Sequence, residues 1–120
     1  MPRDKAEVPA SIETEQALLG AILLGSSADS PANVADEALP MIEPSLFYDD
    51  KHRVILKAIC AVWKRGYGVD SRMVFDELES MGKAGEVGGA TYLTTICGPV
   101  AVAGSMANWK GYLHTLQGLA

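Results

Sequence analysis

The stretch over 49–66, DDKHRVILKAICAVWKRG, constrains this chain most, because both ends of a helix are written into it. The side-chain oxygen of Asp49 suits the free N–H groups of a first helical turn, and Asp50 adds negative charge where the helix dipole is positive. Lys64 and Arg65 place cations at the opposite end, and Gly66 supplies the left-handed conformation that closes a helix. Ile55, Ile59 and Val62 share one face and Leu56, Cys60 and Trp63 the adjoining one, an apolar arc wider than a surface helix needs. Asp50, Arg53, Lys57 and Lys64 leave a narrow wet stripe. Such a helix has to be covered on two sides.

The covers follow from the rest of the text. Residues 1–10 hold two prolines and four charges with no periodicity and are predicted to be a flexible arm. From Ser11, SIETEQALLGAILLG has a capping serine, Glu13 and Glu15 in the first turn, and an apolar arc of Leu18, Leu19, Ile22 and Leu23, predicting a helix stopped at Gly25. Gly20 inside it costs roughly 1 kcal/mol against alanine, which implies a neighbouring helix at close range. Ser30 with Pro31 predicts the start of a short helix ended by Pro40. Phe47 and Tyr48 then read as rings driven under the central helix, with Phe47 as a core anchor.

Beyond Gly66, Asp70 caps a helix that Gly82 stops, and ATYLTTIC is a helix ended by Gly98 and Pro99. VAVAGSM is compatible with either extended or helical backbone. Ser105 is a candidate cap for a last helix along which Trp109, Leu113 and Leu116 align. With no hairpin dipeptide and no sustained alternation, the predicted fold is an all-α orthogonal bundle of about six helices around the 49–66 helix.

The chain has 120 residues, enough for one core, with 48% hydrophobic and 21% charged residues, near the globular average. A formal net charge of -5 lacks the basic footprint that phosphate contacts demand, so direct nucleic-acid binding is not expected. Cys60 and Cys97 lie apart inside apolar helical patterns without C-x-x-C spacing and read as buried thiols. The opening segment lacks the apolar run of a signal peptide, and 17–24 is far short of the roughly 20 residues that span a bilayer. A soluble, cytoplasmic protein is the expectation.

Motifs for chemistry are thin. Gly20 and Gly25 have the glycine spacing of a phosphate-binding loop but lack its lysine and belong to a buried helix. Gly82 and Gly85 match the G-x-x-G clamp of KH domains, yet neither strands nor a basic surface accompany them, so a turn between helices is the reading. His52 and His114 have no partner at the i, i+4 spacing of a metal face, and no metal site or catalytic residue is predicted. For His52, packing or capping competes with a small-hydrolase reading that would use Asp49 or Asp50. Three carboxylate clusters, Glu13 with Glu15, Asp49 with Asp50, and Asp76 with Glu77 and Glu79, sit where solvated acids are expected on dipole grounds. Trp109, Tyr112 and Leu116 form an aromatic edge that is either ordinary core or a face for a partner or a second copy. A helix-turn-helix built on 70–82 is disfavoured, since its recognition helix would carry one arginine against three acids.

Taken together, the run Glu15-Gln16-Ala17-Leu18-Leu19-Gly20-Ala21-Ile22-Leu23-Leu24, then Phe47-Tyr48, His52-Arg53, Val69-Asp70, Gly88-Gly89-Ala90-Thr91-Tyr92-Leu93, and Asn108 with Tyr112 resembles the N-terminal domain of bacterial DnaB-type replicative DNA helicases. The landmarks occur in the family's order over nearly the whole chain. The resemblance implies a helical head over 11–120 that pairs with copies of itself as the collar of a hexameric ring and helps dock primase and a helicase loader. ATP, Mg and unwinding would belong to a RecA-like motor that these residues do not contain, nor do they contain the helical hairpin that follows the head in the family. Cofactors are accordingly not expected here. Within the head, Glu15, Leu18, Gly20, Phe47, His52, Arg53, Asp70, Gly88, Gly89, Tyr92 and Leu93 are implied to be structural, His52 and Arg53 by orienting or capping the central helix and Gly88 and Gly89 by making a turn.

Overall fold

A computed structural model describes residues 11–26, 33–103 and 106–119. The predicted arm over 1–10, the Ser30–Pro31 helix start and the Ser105 cap lie outside these residues. Among the described residues there are six α-helices, joined in three places by 3-10 turns, and no strand: α1 (Ile12–Gly25), α2 (Val34–Ala38), α3 (Asp50–Lys64), α4 (Ser71–Ser80), α5 (Gly89–Ala103) and α6 (Trp109–Leu119).

Local chemistry sets the helix ends. Oxygens of Ser11, Asn33, Asp49 and Asp70 accept the N–H groups of Thr14, Asp36, Lys51 and Met73, so all four helices with a described cap begin on a side-chain acceptor. Asn33 takes that role for α2. Gly66 at φ 83° and Gly82 at φ 72° occupy the left-handed region beyond α3 and α4, as their positions predict.

One expected stop holds, and two expectations about where elements stop or point are corrected. α1 stops where Gly25 predicts: Gly25 is its last residue and is buried, and Ser26 follows as the cap, its hydroxyl accepting from Ala35 N at 2.8 Å and its carbonyl from Val69 N at 3.2 Å. Gly98 and Pro99 do not end α5, which runs on to Ala103. Leu93, Ile96, Cys97 and Val100 form one buried stripe at helical spacing, and keeping Val100 in it offsets the loss of the proline N–H. Only Phe47 of the aromatic pair is driven inward; Tyr48 points to solvent with 54% of its surface exposed.

The 49–66 helix is present and packs against α4 and α1, but the most enclosed element lies two helices earlier. Leu18, Leu19, Ala21 and Ile22 are fully buried and Leu23 nearly so, which makes α1 apolar on nearly every side, whereas α3 keeps a polar stripe in water. α1 therefore threads the centre, touching α2, α3, α5 and α6. Gly20 permits this: a Cβ built there would stand 2.5 Å from the Ile96 carbonyl oxygen of α5. The close approach inferred from the sequence is the α1–α5 crossing.

Candidate functional site

Glu15 is the largest departure from the expected solvated acids. Although it occupies the first turn of α1, only 1% of its surface is exposed. Its position explains this: Glu15 stands three, four and seven residues before Leu18, Leu19 and Ile22, so it belongs to the apolar arc and is carried into the core with it. There the carboxylate meets donors from the chain entering α3. Tyr48 N–H donates to Oε2 at 2.7 Å, and Asp49 N–H donates to Oε1 at 3.3 Å. His52 Nδ1 stands 2.7 Å from Oε1. An ionised carboxylate accepts on both oxygens, and three N–H groups satisfy it.

His52 is itself fully buried, and its Nε2 lies 2.7 Å from the Tyr92 hydroxyl of α5. Gln16 Nε2–H donates to that hydroxyl at 3.1 Å. A consistent direction runs through the bonds: Gln16 amide to phenol oxygen, phenol O–H to Nε2, Nδ1–H to carboxylate. In that direction every polar atom in the chain of bonds is used once as it can be. The rings are packed as well. The Phe47 ring meets His52 edge-on at 6.1 Å, Tyr92 lies against it at 5.9 Å, and Lys51 Nζ stands 4.7 Å over the Tyr92 ring.

Neighbouring landmarks serve the same bracket. Arg53 Nε donates to the Phe47 carbonyl at 2.7 Å and its Nη1 to Asp50 Oδ1 at 2.7 Å, holding the turn that presents the Tyr48 and Asp49 N–H groups. Gly88 and Gly89, at φ 97° and 69°, form the turn into α5, and a Cβ on Gly88 would come within 2.9 Å of Tyr92 Cβ. Leu18 and Leu93 are core residues on either side.

Carboxylate, imidazole and hydroxyl in sequence is the order of a nucleophile relay. Here the imidazole has no accessible surface and the hydroxyl is already bonded on both sides, so the geometry suits a clasp joining α1, α3 and α5. His52 pairs with Glu15 and not with Asp49 or Asp50, which removes the hydrolase arrangement considered from the sequence. Two concavities on the surface lie elsewhere, one lined by Asn33, Asp36, Trp63, Gly66, Tyr67, Gly68 and Val69, the other by Pro40, Met41, Glu43, Ser45, Leu46 and Gln117. Among the described residues no three His, Cys, Asp or Glu side chains group as metal ligands would.

The aromatic edge of α6 is closed within this chain. Trp109 and Leu116 are 6% and 2% exposed and Tyr112 is half-buried, because α6 lays that face on α1. The partner-face reading is corrected for Trp109 and Leu116, which are core; His114 stays exposed on the outer side. Burial pushes the thiols of Cys60 and Cys97 above their ordinary value, Lys64 and a Ser71 hydrogen bond respectively opposing the shift. Both are free thiols, Cys97 buried and Cys60 half-buried. No helix among the described residues is long and apolar enough to cross a membrane.

Comparison with known proteins places these features. The family described as "DnaB-like helicase N terminal domain" matches residues 7–117. The chain is 36% identical to the replicative DNA helicase DnaB of Geobacillus stearothermophilus over 109 residues, 91% of this chain and 22% of that protein. It is 40% identical to the replicative DNA helicase DnaC of Bacillus subtilis over 98 residues, 82% of this chain and 20% of that protein. The chain thus spans about a fifth of the length of these relatives. The crystal structure of the N-terminal domain of DnaB helicase from Mycobacterium tuberculosis superposes with a TM-score of 0.79 at 30% identity, covering 93% of this chain and 74% of that one.

Proposed function

Because the chain belongs to the DnaB-like helicase N-terminal domain family, we propose that it serves a replicative DNA helicase in the cytoplasm as a head that performs no chemistry itself. In this reading the head pairs with copies of itself, supports assembly of a hexameric ring, and offers docking surface to primase and a helicase loader. ATP hydrolysis, with its Mg, and DNA unwinding fall to a motor domain of the whole protein. The observation that carries the reading is the family match over 7–117, which spans all six helices up to their last turn.

Two physical features support it. The carboxylate–imidazole–hydroxyl constellation, the arrangement here that most resembles a reaction centre, is spent on holding three helices together. The net charge of -5 opposes a phosphate backbone and suits a surface that meets other proteins.

Sedimentation velocity of the purified chain, alone and with the primase of the same organism, tests the proposal. Self-association or co-sedimentation with primase is the expected result. A chain that stays monomeric, ignores primase and instead shifts a labelled single-stranded oligonucleotide at moderate salt would overturn it.

A further inference from the structure

The concavity of about 280 Å³ between α2 and the loop after α3 is unused by the reading above, and its composition is specific. Trp63 forms one wall: part of the indole packs on the core, and its Nε1–H donates to Asp36 Oδ1 at 2.8 Å. Asp36 is fixed in turn, since its backbone N–H is capped by Asn33. Tyr67, 58% exposed, also lines the concavity, on a loop pinned at both ends by Gly66 N–H to the Trp63 carbonyl at 2.9 Å and Val69 N–H to the Ser26 carbonyl at 3.2 Å. Gly66 and Gly68 line it without a side chain. The cation on this loop, Arg65, is turned onto Glu77 at 2.6 Å.

Size and charge narrow the occupant. The volume is below the roughly 300–1,000 Å³ of sites for whole cofactors or drug-sized ligands and matches one long side chain. Aromatic surface from Trp63 and Tyr67 beside an exposed carboxylate rejects phosphates and acids and favours a cation. Among cations, a planar guanidinium stacks on indole or phenol while bonding a carboxylate edge, which a compact ammonium does not do. The acidic chain adds attraction for a basic partner.

We propose that the Asp36–Trp63–Tyr67 concavity is a docking socket for an arginine side chain of a partner protein. The socket depends on these residues alone and goes beyond the helicase reading: it holds or fails whether or not primase is what binds.

The test is a ¹⁵N-resolved NMR titration of the full chain with the peptide acetyl-Gly-Ser-Arg-Ser-Gly-amide and with its citrulline counterpart, which is nearly the same shape without the charge. The arginine peptide is expected to shift the Trp63 indole N–H and the amides of 66–69 saturably, leaving the buried Trp109 indole unmoved. Citrulline is expected to shift neither. Asp36→Asn keeps an acceptor for the indole, so the fold persists, and the arginine affinity should fall about tenfold. Tyr67→Ala, at an exposed loop position, should weaken it severalfold. Equal shifts from citrulline, unchanged affinity in Asp36→Asn, or no saturable shift at all would each overturn the proposal.

Discussion

Substituting Gly20 by alanine sets two effects of opposite sign against each other, and the structure says which wins. Intrinsic helix propensity favours alanine by about 1 kcal/mol at an interior helical position. The new methyl, however, would stand 2.5 Å from the Ile96 carbonyl oxygen, 3.3 Å from its carbon and 3.4 Å from Cys97 Cα. All three atoms are backbone of α5, so no side-chain rotamer change relieves the contact, and the helices must part by close to an ångström. Overpacking of this kind costs about 1–3 kcal/mol, and a backbone-on-backbone clash at the centre of the bundle belongs at the upper end. The net loss is then about 2 kcal/mol, or a fall in Tm of about 5–10 °C for a domain of this size. Gly111→Ala is the matched control, because Gly111 also lies in a helix but a Cβ there meets nothing within 4 Å. Thermal unfolding followed by helical circular dichroism should show Gly20→Ala melting below the parent and Gly111→Ala at or above it. A Gly20→Ala protein as stable as the control would refute the close crossing of α1 and α5.

Pro99→Ala restores an N–H in the middle of α5 at an exposed position; after about 0.4–1 kcal/mol is returned through the looser unfolded chain, the variant should gain about 1–2 kcal/mol in urea unfolding. Asp70→Ala removes the acceptor for Met73 N–H and should cost about 1 kcal/mol, with α4 amides exchanging faster in hydrogen-exchange experiments. The two thiols keep their protons in the fold beyond the ordinary value of 9.0, while the unfolded chain releases them near it. Stability is therefore intact below that pH and declines as pH rises through it, and a Cys60→Ala, Cys97→Ala double variant should show a flatter profile over pH 8 to 10.

Helix ends were readable because they depend on neighbours in sequence: Ser11, Asp49, Asp70, Gly66 and Gly82 each do what their type and place require. Where reading failed, a distant partner had overridden a local rule. Proline stops a helix on local grounds, yet Val100 had a place in the core to fill. The clasp was half visible. An acid at Glu15 on an otherwise apolar arc signals a buried carboxylate, but its partners stand 37 residues away at His52 and, through His52, a further 40 away at Tyr92, a pairing no periodicity reports. The choice of hub failed for a related reason: the best-punctuated helix, α3, is the easiest to delimit, while the uniformly apolar α1 is the one the bundle encloses.

That the landmark residues hold the fold, and leave function to the surface, is tested most directly by a double-mutant cycle between Glu15 and His52, read by urea unfolding of Glu15→Gln, His52→Gln and the pair. A charge-assisted hydrogen bond sealed from water predicts single losses of about 2–3 kcal/mol each and a coupling of at least about 1.5 kcal/mol, the second substitution costing far less once the first is made. Additive losses within about 0.5 kcal/mol, or variants as stable as the parent, would contradict it.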